Sequence, residues 1–536
     1  MNEQPTQQNS FYSSDKLLWI ILGVGVILRL IRYLYNPSLW FDESSIVIDI
    51  INRPLFELIN PSPDYNQAYP LAFMMLVKLL TQAFGNTEYV IRLVPFLGGV
   101  GALFLFCKFA KTYLEPRAAA IALGLFAVSD ILIFQSSNLK PYSSDVFFTL
   151  LIFTLAIYTQ SKKLNMPSIL LFGVAGAVTI WFSNPSVFVM AGVGLCLLVS
   201  CFNNNDRKGA GKLLVSYSIW GLSFIANYLL YIRGLKAAFI VGMDQILAFQ
   251  DAYMPVPPAS VADIKWYMEL FFDVFSNPVG MTLVGIAALA FIVGCVSMYT
   301  QRRSAFIIVV SPVIVTFLAG ALHQYAFKGR FILFLLPLLL LVVAEGAEYI
   351  RKATYRNSRV IGTVFIVLFF LHPVTLSAYR VLNPFYWEDI RPVMKYVKDN
   401  WREGDIIYVH YYAQYPFDYY TNHYPEPYRF DDDEYIIGIA PRGWYRNYRK
   451  QDAGKYYPPE ASVKQSSSEI FDLYLKDLEQ LKGKGRVWFL FTAAIPKNGM
   501  DEERFLIYHL GKTGKRLDVF GRSGISAVYL YDLSGL

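Results

Sequence analysis

The sequence predicts a polytopic α-helical membrane protein that ends in a soluble α/β domain, on three observations. First, 55% of the 536 residues are hydrophobic and 16% aromatic, with a mean hydropathy of +0.36, values that soluble domains seldom reach. Second, apolar runs approaching the roughly 20 residues that span a bilayer recur along the first two thirds of the chain. Third, the composition turns soluble after Tyr379. The net charge of +7 does not point to nucleic acid, because Lys and Arg fall in short clusters between apolar runs, the pattern of membrane-protein loops. Cys107, Cys196, Cys201 and Cys295 all lie in apolar runs, so neither a disulfide framework nor a cysteine metal site is visible.

The segment 1–16 reads as a cytoplasmic leader. The run from Leu17 to Tyr35 has no small-residue cleavage site after it and reads as a retained anchor. Spanning runs follow near 89–110, 118–136, 141–160, 168–182, 186–202, 212–232, 279–299, 304–321, 331–350 and 360–379. The stretch 69–85 is short and carries Lys78. Treated as an interfacial helix, it leaves the clusters around Lys108, Lys162, Arg207, Arg302 and Arg351 on one side of the membrane, which the positive-inside bias favours. The expectation is therefore about eleven spans with a cytoplasmic N-terminus in the plasma (inner) membrane. A transmembrane domain then covers 17–379, with a first outer loop at 37–88, and an extracytoplasmic α/β domain covers 380–536. In the latter, 387–401 has the pattern of an amphipathic helix, while 404–412, 485–493 and 524–533 read as a turn into a strand and two further strands. The Tyr-rich span 408–457 suits either sugar stacking or a core and membrane-facing surface. The run "DDDE" at 431–434 lacks the spaced ligands of a calcium loop and reads as solvated.

Adjacent acids open the first outer loop, in "LWFDESSIVIDI" (39–50). Ile46, Val47, Ile50 and Ile51 recur at helical spacing behind Asp42 and Glu43, so Asp42 reads equally as a helix N-cap or first-turn charge and as a catalytic carboxylate. Cations stand on the same predicted outer side: Lys140 with Tyr142 in "NLKPYSSD", and Lys328 and Arg330 with His323 in "HQYAFKGR". Interface anchoring and snorkelling are their ordinary explanations. Basic residues outside run against the topological bias, however, and an anionic ligand supplies a reason for them. Arg29 and Arg32 lie in the outer half of the first span, where a charge needs a carboxylate or lipid phosphate partner. Asp64 and Tyr65, in the same loop as Asp42, read as turn residues. A carboxylate pair with several cations suits glycosyl transfer from a lipid-linked sugar phosphate: cations stabilise the departing phosphate and a carboxylate takes the acceptor hydroxyl's proton. A lipid-linked-sugar flippase is the alternative, although intramembrane acids are scarce and no inverted repeat shows. A third reading makes the Tyr-rich domain a binding module on a membrane anchor.

The ordered series "GVILRLIRYLYNPSLWFDESSIVIDI", "AYPLAFMMLVKLL", "EYVIRLVPFLGG", "NLKPYSSD" and "FKGRFILFLLPLLLL" resembles the bacterial protein-O-mannosyltransferase-like glycosyltransferases, over about residues 20–160 and 323–345. The resemblance implies the C-type glycosyltransferase fold and a polyprenyl-phosphate-sugar donor. It implies transfer with inversion to a hydroxyl on a glycan, lipid or protein acceptor. It carries Asp42 over as catalytic base or acceptor-orienting carboxylate, Glu43 as its neighbour, and Lys140 and Arg330 as donor-phosphate ligands. Tyr142, Lys328, Arg29 and His323 complete the expected donor site. Ala68 and Tyr69 stand where a His-Pro pair is often seen. Some relatives in the wider fold use a divalent metal between acidic loops; here no obligatory metal or other cofactor is expected.

Overall fold

A computed structural model describes residues 7–60, 69–235, 254–428, 430, 435–437, 467–492, 501–522 and 525–535. The expected turn residues Asp64 and Tyr65, the "DDDE" run and most of the Tyr-rich span beyond Tyr428 lie outside the described residues. The chain folds into two compact units: 1–35, 55–79 and 92–384 in one, and 36–54, 80–91 and 385–536 in the other.

The helices, in chain order, begin with α1 (Gln7–Tyr35), α2 (Phe41–Asn52), α3 (Leu71–Phe84), α4 (Glu88–Tyr113), α5 (Pro116–Val128), α6 (Asp130–Gln135) and α7 (Tyr142–Ser161). They continue with α8 (Met166–Phe182), α9 (Ser186–Asn203), α10 (Arg207–Asn227), α11 (Val261–Ser276), α12 (Val284–Gln301), α13 (Arg303–Ala321), α14 (Leu336–Asn357) and α15 (Arg359–Leu382). Among the described residues, nine helical segments are long and apolar enough to cross a membrane. The chain is a multi-pass membrane protein. The runs expected at 118–136 and 168–182 form shorter apolar helices, Pro116–Val128 and Met166–Phe182, and the stretch taken as interfacial forms Leu71–Phe84.

The run 118–136 is not one continuous helix. It breaks at Ser129, whose backbone is extended, and restarts as α6. The carbonyls freed at the break find side chains: Arg29 donates to Phe126 and Ala127 oxygens at 3.3 and 3.2 Å, and Ser377 Oγ donates to Val128 O at 2.6 Å. A helix end inside a membrane domain needs such donors, because no water satisfies it there. The segment 329–355, made of a 3-10 stretch (Gly329–Leu335) running into α14, is 94% buried over its apolar window and forms the centre of this unit. Gly294 of α12 and Gly346 of α14 lie against each other's helix backbone, so a Cβ on Gly346 would enter the Ala290 carbonyl. Small residues are what allow two membrane helices this approach.

The second unit is built on a five-stranded sheet. Its further elements are α16 (Ile390–Asp399), β1 (Ile406–Val409), α17 (Gln414–Asp418), β2 (Tyr435–Ile437), α18 (Ser467–Gln480), β3 (Arg486–Thr492), α19 (Glu502–Thr513), β4 (Lys515–Arg522) and β5 (Ser526–Asp532). The strand order is β2–β1–β3–β5–β4. β1 is parallel to both neighbours, with Ile407 opposite Tyr435 and Ile406 opposite Val487, while β5 runs antiparallel to β3 and β4. Val487, Phe489 and Phe491 share one face with Tyr408, Ala527, Tyr529 and Tyr531, packed with Tyr474 and Leu478 of α18 and Leu506 and Leu510 of α19. α16 packs on β5 and β4 and buries Ile390, Val393, Met394 and Val397. Helical cover on more than one side explains why β3 and β5 read as unbroken apolar runs instead of alternating ones.

Candidate active site

Asp42 and Glu43 sit where a helix begins. Trp40 takes the N-cap position with an extended backbone and no side-chain cap bond. Asp42 is therefore a first-turn residue: of the two local readings, the first-turn charge holds and the N-cap does not. Glu43 through Ile50 are buried, whereas Asp42 is half-buried. Of the two acids, Asp42 is the more exposed.

The start of α2 is held by residues from beyond 385, within the same unit. The Phe41 amide donates to Glu388 Oε2 at 3.0 Å, the Trp40 ring stacks on Trp387 with centroids 6.1 Å apart, and Ser38 Oγ donates to Asp389 Oδ1 at 2.5 Å. The Leu39 amide donates to the Tyr420 hydroxyl at 2.8 Å, and the Phe41 ring sits within 5.0–5.9 Å of Tyr411, Tyr412 and Tyr415. Part of the Tyr-rich stretch thus serves as packing and hydrogen-bonding wall for the acidic turn. Burial pushes the Glu388 carboxyl well above the usual range, against the lowering effect of the Phe41 amide, and the nearby Asp42 and Glu43 charges push it further up. Glu388 is a third carboxyl at this turn that sequence reasoning did not single out; its only sequence signal was an acid next to a Trp at the start of an amphipathic helix.

Beneath this turn lies an ion pair in which Glu88 is buried and Arg391 half-buried. Arg391 Nη1 stands 3.1 Å from Glu88 Oε1, which also accepts from the Tyr420 hydroxyl at 2.9 Å. Arg391 further bonds the Asn36 carbonyl and, through its Nε, Ser38 Oγ at 3.4 Å. Residues from three stretches of chain are tied together by one guanidinium, whose planar fork suits several acceptors at once.

The cations belong to the helical unit. Lys140 is buried in the loop before α7, its Nζ 5.3 Å over the Tyr69 ring. Tyr69 donates to Leu139 O at 3.4 Å and accepts, through its own carbonyl, from the Tyr231 hydroxyl at 2.9 Å. The 3-10 stretch packs on α7 and brings the Arg330 guanidinium 6.0 Å over the Tyr142 ring, while Tyr325 donates to Phe331 O at 2.8 Å. Lys140, Tyr142 and Arg330 are thus collected around the start of α7. Lys328 immediately precedes the 3-10 stretch, half-buried. The His323 ring Nε2 lies 2.9 Å from Met254 O. Arg29 is 1% exposed and spends its guanidinium on backbone carbonyls of Gly25, Phe126 and Ala127. It fastens α1 to the end of α5, and a helix terminus is the partner that its depth in the span finds here. Among the described residues, no group of three or more His, Cys, Asp or Glu side chains is placed to hold a metal ion.

The fold has solved counterparts. The crystal structure of ArnT from Cupriavidus metallidurans bound to undecaprenyl phosphate aligns at a TM-score of 0.52 and 11% identity, over 96% of this chain and 98% of that one. This is the C-type glycosyltransferase fold. The archaeal oligosaccharyltransferase AglB from Archaeoglobus fulgidus, in complex with an inhibitory peptide and a dolichol-phosphate, aligns over 98% of this chain and 75% of its own at a TM-score of 0.46 and 14% identity. The Archaeoglobus fulgidus oligosaccharyltransferase structure with Zn and sulfate gives a TM-score of 0.46 at 13% identity over 78% of this chain, which spans only 59% of that protein's length. No protein-family model and no curated protein sequence matches the chain.

Proposed function

We propose that the chain is an integral-membrane glycosyltransferase. It moves a sugar from a polyprenyl-phosphate donor to an acceptor hydroxyl on a glycan, lipid or protein. The reaction is a single displacement with inversion: the acceptor oxygen bonds to the anomeric carbon as that carbon's bond to the phosphate oxygen breaks. Asp42 takes the hydroxyl proton and the lipid phosphate leaves with the bonding electrons. Lys140 and Arg330 hold that phosphate, where fixed positive charge favours the transition state over the ground state. The chemistry takes place on the extracytoplasmic side of the plasma membrane, with the N-terminus in the cytoplasm, and needs no obligatory metal.

The observation that carries this reading is the placement of Asp42, half-buried in the first turn of a helix whose start is anchored on every side. The shared fold supports it, and so do the cations Lys140 and Arg330, gathered near the start of α7. Asp42→Asn tests it. The variant should insert and fold as wild type while transfer from a radiolabelled polyprenyl-phosphate sugar falls by about two to four orders of magnitude, the span of general-base effects. Full transfer by Asp42→Asn overturns the assignment of the base.

A further inference from the structure

Three successive residues at the start of the soluble region run alongside the acidic turn: Trp387 stacks on Trp40, Glu388 accepts the Phe41 amide, and Asp389 accepts the Ser38 hydroxyl. The middle contact is the one that reaches the helix itself. An α-helix begins with unsatisfied amides, and here a side chain 347 residues away in sequence supplies an acceptor. We propose that Glu388 is a positioning residue for Asp42: by accepting the Phe41 amide hydrogen it sets the first turn of α2 and with it the direction of the neighbouring carboxylate. The proposal rests on the reading of Asp42 as base and adds to it a residue from the opposite end of the chain.

The charge balance of the turn agrees. Glu388 is 3% exposed, and the charged groups acting on it are Asp42 and Glu43 of α2; Asp389 is bonded to Ser38 and Arg391 is paired with Glu88. Burial, and after it the two neighbouring acids, push the Glu388 carboxyl well above the ordinary range. A glutamine of the same shape keeps a side-chain oxygen for the Phe41 amide, so it can do the same work.

That equivalence defines the experiment. A strain lacking the gene is complemented with wild type, Glu388→Ala or Glu388→Gln, and glycans and lipid-linked sugars are measured by mass spectrometry. Purified full-length protein is followed by hydrogen exchange over 38–45. Glu388→Ala should speed exchange at the start of α2 and lower the Asp42-dependent product roughly 10- to 100-fold, as expected for a misplaced catalytic group. Glu388→Gln should keep slow exchange and most of the product. In membranes carrying endogenous donor and acceptor, wild type should lose turnover as pH climbs and Glu388 ionises, and Glu388→Gln should lose less. Unchanged exchange in Glu388→Ala, a Glu388→Gln variant with no product, or superimposable pH profiles of wild type and Glu388→Gln would each overturn the proposal. Should Glu388→Ala fail to accumulate, the glutamine variant and its pH profile decide alone. Normal product from Asp42→Asn would instead remove the base assignment and leave the exchange result standing.

Discussion

Replacing Arg391 by Met removes one partner of the ion pair beneath the acidic turn while keeping most of the side chain's apolar length. The Glu88 side chain is 1% exposed, and Arg391 is its cationic partner at 3.1 Å. After the substitution the carboxylate keeps the Tyr420 hydroxyl but loses its counter-charge, and the Asn36 carbonyl loses a donor. Leaving the buried Glu88 carboxylate without its half-buried partner costs about 3 kcal/mol, the low end of the range for a pair buried on both sides. In a unit of this size each kcal/mol moves the midpoint by about 2–4 °C, so thermal unfolding in detergent should fall by on the order of 10 °C. Glu88→Gln, which still accepts from Tyr420, should cost only about 1 kcal/mol. The pair Glu88→Leu with Arg391→Met leaves no buried charge alone and should be milder than Arg391→Met by itself. The measurement is a double-mutant cycle by chemical or thermal unfolding. A coupling energy below about 0.5 kcal/mol, the scatter of independent sites, would refute the view that this pair fastens the loop.

Three other outcomes follow from the same structure. Gly346→Ala drives a methyl into the Ala290 carbonyl and should cost at least about 1–3 kcal/mol, read as reduced thermal stability; an unchanged midpoint would show that α12 and α14 are not in backbone contact. Because the folded-state carboxyl of Glu388 is raised above its unfolded value, the native protein holds a proton that the unfolded chain has released. Its stabilising contribution is complete below the unfolded value near 4.3 and is lost as pH climbs toward the folded one, by up to about 1.4 kcal/mol per pH unit. Wild type should thus lose ground to Glu388→Gln as pH rises, and parallel midpoint-versus-pH curves would contradict this. Arg29→Leu should lower stability by leaving the α5 terminus without its donors, with no change in donor KM for the protein that remains folded; a selective rise in KM would return Arg29 to the donor site.

Much of the architecture was legible because it rests on local periodicity. α16 announced itself by its apolar spacing, and β1, β3 and β5 by short apolar runs next to turn residues. β4 was not visible, since "KRLDVFGR" is exposed along nearly its whole length and is a strand because β5 offers it an edge. The break at Ser129 was hidden in an apolar run, as its cause is a set of donors from α1 and α15. At the candidate site Asp42 could be picked out by its chemistry and its place before a helical pattern. Glu388 and the Glu88–Arg391 pair could not, because each draws its role from a partner about 300 or more residues away.

The way the chain is apportioned between its two units bears on how this protein can be rebuilt. A helix carrying the proposed base, and the stretch around Glu88, are folded with the sheet at the far end of the sequence. The C-terminal region therefore cannot be treated as a detachable cassette. Exchanging it for that of a relative would strip α2 of the side chains that start it, unless the matching pieces near residues 36–54 and 80–91 travelled with it. Recombination at a single junction near residue 384 should yield chimaeras that insert yet fail, and only three-point grafts should survive.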